Sequence, residues 1–235
     1  MRKVAAPRFY FSLRSPYSWL AFEDLYSRYP DIVSKLDWRP FFEPDEQSER
    51  MLTEAGGRFV YTPMSKEKHL YILQDVRRLA TERELEVGWP VDRAPCWEVP
   101  HLAYLAAREN CRGLGFIDLA YQARWGEGRN ICDPAVIEEL GDRLGLDGAE
   151  LATAHESERY RKLGLDTLMD LYQDDVFGIP LFVNGRQKYW GLDRLATFAA
   201  AVRADKRFEP APRAAELAVV ADPRASDFGP AGGCG

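Results

Sequence analysis

The 235-residue sequence predicts an α/β fold. It reads as a small sheet built from a strand–helix–strand unit early in the chain and a strand–strand–helix unit late in it, with a large α-helical subdomain inserted between. Three observations predict this. Two short aromatic-rich runs, Arg8–Leu13 and Lys35–Phe42, flank an amphipathic run, Pro16–Tyr29. From Asp45 to Asp175 the apolar residues recur at helical spacing. Period-two apolar runs then return on either side of Asn184-Gly185, a strong hairpin signal.

Each element follows from its residues. Arg8–Leu13, carrying Phe9, Tyr10 and Phe11, reads as a buried strand. Ser15 and Pro16 open the next helix: a serine oxygen accepts an orphan backbone N–H at the N-cap, and proline's missing donor is harmless at the first helical position. Trp19, Leu20, Phe22, Leu25 and Tyr26 make its apolar face, and Pro30 is expected to stop it. Lys35–Phe42 reads as the second strand, ended by Glu43-Pro44, and the crossover between the two is expected to be right-handed. Ser65–Glu86 places Leu70, Leu73, Val76 and Leu79 on one helical face; Pro100–Asn110, Leu114–Trp125, Asp133–Leu144 and Glu156–Tyr172 read as further helices. Ile179–Val183 and Gln187–Trp190 form the late hairpin, and Leu192–Arg203 closes the fold as a helix.

The order βαβ, helices, ββα is that of a thioredoxin-like sheet with a helical insertion. Residues 1–44 and 176–206 are assigned to the sheet domain and 45–175 to the inserted subdomain. Residues 207–235, rich in Ala, Pro and Gly without periodicity, read as a C-terminal tail. Hydrophobic content of 46% and charged content of 29% are those of an ordinary globular protein. A net charge of −6 argues against a nucleic-acid partner, which needs a basic surface. No run reaches the length of a membrane-spanning helix, and Met1–Pro7 is too short and broken for a signal peptide, so a cytoplasmic location is expected. Cys96, Cys111, Cys132 and Cys234, with His69, His101 and His155, show no metal-ligand spacing; reduced cysteines and no structural metal are expected.

The chemistry concentrates in Ser15-Pro16-Tyr17-Ser18. A helix opening here aims backbone N–H groups and the positive end of its dipole at whatever lies over Ser15. Redox proteins of the thioredoxin type carry Cys-x-x-Cys at this place, and here both cysteine positions are serine. The field that stabilises a thiolate remains and the thiol is missing, so the thiol is expected on a ligand. Read alone, Ser15 is an N-cap serine and nothing more, the usual fate of Ser-Pro before a helix. A second element is Ile179-Pro180: in the thioredoxin order this proline is cis and faces the first helix, leaving the Ile179 backbone for an extended peptide to pair with. Taken singly it is an ordinary loop proline. A third is Trp190-Gly191-Leu192-Asp193-Arg194, whose free N–H groups can bind a carboxylate while Asp193 accepts from an ammonium or simply compensates the helix dipole. Together these bracket a zwitterionic tripeptide with a central thiol, a description that glutathione fits.

These motifs carry a resemblance. Phe11–Phe22, Phe177–Pro180 and Trp190–Arg194, together with Lys68, Tyr71, Asp75 and Arg78 in a Lys-x-x-Tyr-x-x-x-Asp-x-x-Arg helix and Trp125-Gly126-Glu127-Gly128, resemble the DsbA-related group that contains kappa-class glutathione transferases and 2-hydroxychromene-2-carboxylate isomerases. The resemblance runs from about Arg8 to Arg203. It implies that Ser15 is the catalytic serine that donates to the glutathione sulfur, that Ile179 and Pro180 meet its cysteinyl part, that Asp193 meets its γ-glutamyl end, and that Lys68 reaches the cleft. A solvated helix lysine is an equal reading of Lys68. It also implies a homodimer. Three positions depart from the pattern: Ser12 where aspartate is usual, Arg14 where the family is apolar, and Leu192 where a serine commonly stands, leaving only a backbone N–H for the γ-glutamyl carboxylate. They leave the identity of the thiol open.

The first functional expectation is a thiol-dependent isomerase acting on an aromatic, enone- or chromene-type small molecule, with Arg14 or Lys68 holding a substrate carboxylate and Tyr17, Trp89 and Trp97 in the pocket wall. The alternatives are a kappa-like transferase that conjugates glutathione to electrophiles, and a catalytically silent thioredoxin-like binding protein. A disulfide oxidoreductase is excluded, because Ser15 and Ser18 cannot cycle between dithiol and disulfide.

Overall fold

The computed structural model describes residues 6–60 and 64–205; the expected tail and Cys234 lie outside the described residues. Among these, four strands form one sheet: β1 (Arg8–Phe11), β2 (Asp37–Pro40), β3 (Leu181–Asn184) and β4 (Gln187–Trp190), in the order β2-β1-β3-β4. β1 runs parallel to β2 with Phe9 opposite Trp38, and antiparallel to β3 with Tyr10 opposite Leu181. The C-terminal ends of β1 and β2 and the N-terminal end of β3 therefore share one end of the sheet.

Ten helices accompany the sheet among the described residues: α1 (Pro16–Arg28), α2 (Pro30–Val33), α3 (Glu46–Glu54), α4 (Lys66–Thr81), α5 (Glu98–Glu109), α6 (Gly113–Tyr121), α7 (Pro134–Arg143), α8 (Gly148–Ala152), α9 (Glu158–Gln173) and α10 (Leu195–Ala204). Strand alternation divides the side chains between two faces. Phe9, Trp38 and Phe182 face α1 and α10: Phe9 stacks on Phe182 at 4.6 Å between ring centroids, Phe182 on Phe198 at 4.9 Å, and Phe22 meets Trp38 edge-on at 5.9 Å. The other face carries Tyr10 and Arg39. There the Tyr10 hydroxyl donates to Asp174, just past α9, and Arg39 pairs with Asp170 of α9 at 2.8 Å.

Several boundaries differ from the sequence expectation, each for a local reason. Pro30 ends α1 but also begins α2, since a proline is well placed at a first helical position. α3 has too few apolar residues for periodicity to reveal it; its signals are the Asp45 N-cap, which accepts from Ser48 N–H at 2.8 Å, and acidic residues in the first turn. The helix expected over Leu114–Trp125 finishes as a π-helical turn, Gln122–Gly126. β3 starts after Pro180, not at Ile179, and the hairpin turn is Gly185-Arg186 with Asn184 paired opposite Gln187; Gly185 takes φ +63°, which glycine adopts without penalty. The last helix is preceded by a single 3-10 turn, Leu192–Arg194.

One buried ionic cluster fixes the helices beside the sheet. Arg161 of α9 reaches Asp45 at 2.8 Å and Glu98 of α5 at 2.8 Å, and donates to Ser48 Oγ at 3.2 Å. Burial pushes the fully buried Glu98 above the usual carboxylate range. Burial acts the same way on Asp45, but the Arg161 hydrogen bonds and the Ser48 N–H outweigh it and hold that carboxyl low. Arg161→Met is expected to cost about 3–5 kcal/mol, because Glu98 would remain buried without its counter-charge, keeping only hydrogen bonds such as that from Asp45 N–H. Glu98→Gln in the same background should recover part of the loss. Urea denaturation of the three proteins reads both shifts, and an unchanged midpoint for Arg161→Met would show that the cluster holds nothing together.

Candidate functional site

The turn from Ser12 to Ser15 joins β1 to α1 and is held from several sides. Ser15 N–H donates to the Ser12 carbonyl at 3.0 Å, and the buried Tyr121 hydroxyl donates to the same oxygen at 3.2 Å. Ser12 N–H donates to Ser18 Oγ at 3.2 Å. Leu13 N–H donates to His101 Nε2 at 3.1 Å, and Ser12 Oγ lies 3.3 Å from that nitrogen while accepting from Arg14 N–H at 3.3 Å.

The two serines of the motif have different places. Ser18 is fully buried and ties the helix back to Ser12. Ser15 is the N-cap, with φ −86° and ψ 123°; its oxygen accepts from Ser18 N–H at 3.2 Å, and its O–H donates to no group among the described residues. At 8% exposure it is buried but not sealed from solvent. The first turn of α1 contains no acidic residue, so the positive end of the helix dipole is uncompensated there.

The Ile179-Pro180 bond is cis. Gly191 N–H donates to the Pro180 carbonyl at 2.9 Å, joining this loop to the Leu192–Arg194 turn, which packs against α1 and β4. Gly191 takes φ +99°, and a side chain there would also press to 2.7 Å from Asp193 Oδ1, so this corner requires glycine. Leu192 is half-buried, and the exposed Asp193 pairs with Arg194 at 3.2 Å. Topology thus brings Ser15, Ile179-Pro180 and Leu192-Asp193 to one end of the sheet.

The remaining expected residues are placed differently from one another. The Tyr17 hydroxyl donates to Asp75 of α4 at 2.8 Å, and Arg78 and Tyr71 converge on the same carboxylate at 3.0 and 3.4 Å. Burial, reinforced by the Asp75 hydrogen bond, pushes the Tyr17 phenol up, so it stays protonated and acts as a clamp between α1 and α4. Lys68 lies two turns before Asp75, near the start of α4, and is exposed. Arg14 pairs with Glu43 at 2.5 Å and lies 5.1 Å from the centre of the Trp97 ring. Arg124 covers Trp97 as well, at 4.9 Å, so Trp97 is buried between two guanidinium groups instead of forming an open wall. Trp89, half-buried, meets Trp125 edge-on at 6.2 Å.

The residue that sequence reasoning missed is His101. Nδ1 faces the Trp97 carbonyl at 2.6 Å and must donate, and Nε2 faces the Leu13 N–H and must accept, so the neighbours fix the neutral tautomer with its proton on Nδ1. Burial lowers its pKa to about 3, and the nearby Arg124 and Arg14 act in the same direction. The available signal was a pair of titratable residues, Glu98 and His101, three apart at the start of a helix and ahead of the apolar run Leu102–Ala107; both prove fully buried. Cys96, Cys111 and Cys132 are free thiols outside the Ser12–Ser18 segment, and burial pushes Cys132 up to about 12.

The sequence matches the DsbA-like thioredoxin domain over residues 8–203. It is 29% identical over 198 residues to the 2-hydroxychromene-2-carboxylate isomerase of Sphingobium xenophagum, covering 80% of this chain and 92% of that one. A solved structure of a 2-hydroxychromene-2-carboxylate isomerase superposes with a TM-score of 0.67 at 20% identity, over 84% of this chain and 94% of the other. The cytosolic disulfide reductase DsbM of Pseudomonas aeruginosa, solved with GSH, superposes with a TM-score of 0.57 at 18% identity, over 85% and 98%. At these identities the superpositions show a shared fold.

His101 gives a pH signature. Between its unfolded pKa of about 6.5 and the folded value of about 3, the unfolded chain takes up a proton that the folded chain refuses. Stability from this group is complete above the unfolded value and falls as pH drops through that window, with a slope approaching about 1.4 kcal/mol per pH unit. His101→Gln removes the titration, so the stability difference between parent and variant should shrink from pH 7 to pH 4 in urea unfolding (both values chosen to span the window). Parallel curves would contradict the neutral assignment.

Proposed function

The chain belongs to the family of DsbA-like thioredoxin domains, and on that basis we propose that it is a thiol-dependent isomerase of an aromatic, enone- or chromene-type small molecule, with glutathione or another low-molecular-weight thiol as cofactor. The observation that carries this reading is Ser15: a nearly buried hydroxyl whose proton has no acceptor among the described residues, at an uncompensated helix N-terminus, in a motif that has no sulfur of its own. The likeness to the Sphingobium isomerase supports the reaction class, and the GSH in the DsbM structure supports the cofactor class.

The residues at this end of the sheet suit such a thiol. When bound it would supply a nucleophilic sulfur able to add reversibly to a conjugated carbon. Ser15 Oγ–H and the dipole of α1 would hold that sulfur as an anion, as helix N-termini do for reactive thiolates. The Ile179 backbone would pair with the cysteinyl part, and the Leu192 N–H and Asp193 carboxylate would take the γ-glutamyl end. Arg14 spends one nitrogen on Glu43, and its other donors remain to hold a substrate carboxylate or a developing enolate. Lys68 contributes positive charge from α4. Tyr17 supports the site by keeping α4 against α1.

Turnover of a 2-hydroxychromene-2-carboxylate in the presence of glutathione tests the reading. Ser15→Ala is expected to lower turnover on the order of 100-fold, the usual effect of removing one donor from a developing anion, while glutathione still binds within a few-fold of the parent. Unchanged turnover in Ser15→Ala would overturn the role given to this residue, and glutathione conjugation without isomerisation would move the protein to the transferase reading.

A further inference from the structure

A second concave surface opens behind the cis-proline loop. It is a cleft of about 200 Å³ whose lining includes Phe41, Phe59, Leu171, Tyr172 and Phe177 together with the charged Arg58 and Asp175. Its walls come from four segments: the residue after β2, Arg58–Val60 beyond α3, the last turn of α9, and Asp175–Phe177 before the cis-proline. Phe41 follows β2, and its N–H donates to the Phe11 carbonyl at 2.6 Å, beside the Ser12–Ser15 turn. Phe177 stands two residues before Ile179 and meets Trp190 edge-on at 5.3 Å. Leu171 and Tyr172 come from the last turn of α9.

The lining is chemically selective. Phe41 and Phe59 are tilted against each other at 5.0 Å, so ring edges as well as faces are offered to an aromatic guest. A cavity of about 150 Å³ is enough to hold benzene, so 200 Å³ takes one substituted ring and not a large polycyclic system. The two charges in the lining differ in what they can do. Asp175 already faces Lys188 at 3.6 Å. Arg58 is exposed and makes no hydrogen bond or ion pair among the described residues. A guanidinium lining an aromatic cleft, with no partner among the described residues, can recognise a carboxylate attached to a ring.

We propose that this cleft binds a small aromatic carboxylate, its ring among Phe41, Phe59 and Phe177 and its carboxylate on Arg58. Its assignment as the place of the substrate rests on the thiol-site reading above; the capacity to bind an aromatic acid does not. It gives the Ser15 site a neighbouring subsite that selects anionic substrates by a charge outside the thiol-binding residues.

Calorimetric titration of the full chain tests this with cinnamate, cinnamamide and glutathione as three separate probes. Cinnamate should bind saturably, and Arg58→Gln should weaken it about tenfold or more while leaving cinnamamide unchanged, as expected for loss of one charge-assisted contact. Phe177→Ser should weaken both cinnamate and cinnamamide. Equal effects of Arg58→Gln on acid and amide, or cinnamate affinity unmoved by both variants, would overturn the assignment. The glutathione titration reports separately on the thiol site: its failure with cinnamate binding intact removes glutathione as the cofactor and leaves the cleft, and the converse removes the cleft alone.

Discussion

The site depends on one constraint: the backbone of the Ser12–Ser15 turn has to leave the sheet and enter α1 inside the fold, where each polar group needs a partner. No strand or helix can supply the acceptor for Leu13 N–H at this point. A neutral imidazole does, and its other nitrogen is satisfied by the Trp97 carbonyl of its own helix. The Ser12 carbonyl, shared by Ser15 N–H and Tyr121, and the Ser18 hydroxyl complete the support. With its backbone fixed in this way, Ser15 has one task left for its hydroxyl proton, and nothing in the described chain takes it.

A second layer of the same design links the turn to the helices. Arg14, Trp97, Arg124 and Trp125 alternate cation and ring at 4.9–5.1 Å, and Trp125 stacks on Trp19 of α1 at 6.1 Å. Arg124 is almost wholly buried, which is tolerable because both terminal nitrogens meet Asp92 at 2.8 Å and indole faces replace water on its flat sides. Arg14 thus projects beside Ser15 from a stacked base instead of from a loose loop. Where an apolar residue is usual in the resembling family, this chain carries a positioned charge next to Ser15 in sequence.

The fold was legible in the sequence because its signals are local. Phe9-Tyr10-Phe11, the Ser15-Pro16 cap and the late hairpin each announce their element within a few residues. α3 escaped because its stability comes from the Asp45 cap and the long-range Arg161 cluster, which no window of neighbouring residues contains. Ser15, Ile179-Pro180 and Asp193 could be named because each sits at an element boundary with a chemical mark. His101 could not, since its partners are 88 and 89 residues away, and a buried histidine on an apolar helix looks the same in sequence whether it holds a turn or fills a core. Trp97 shows the opposite limit: a tryptophan near the site suggested a pocket wall, but the two guanidinium groups on its faces depend on residues 83 positions before it and 27 after it.

The central claim is that this end of the sheet stabilises a thiolate that the chain itself does not carry. The most direct measurement is the pKa of protein-bound glutathione, followed by thiolate ultraviolet difference absorbance against pH in the parent and in Ser15→Ala. The account predicts a bound thiol that ionises at least about one pH unit below the value of about 8.5 typical of a free thiol, and a return toward that value in Ser15→Ala. A bound thiol that titrates at its free value in the parent would contradict it.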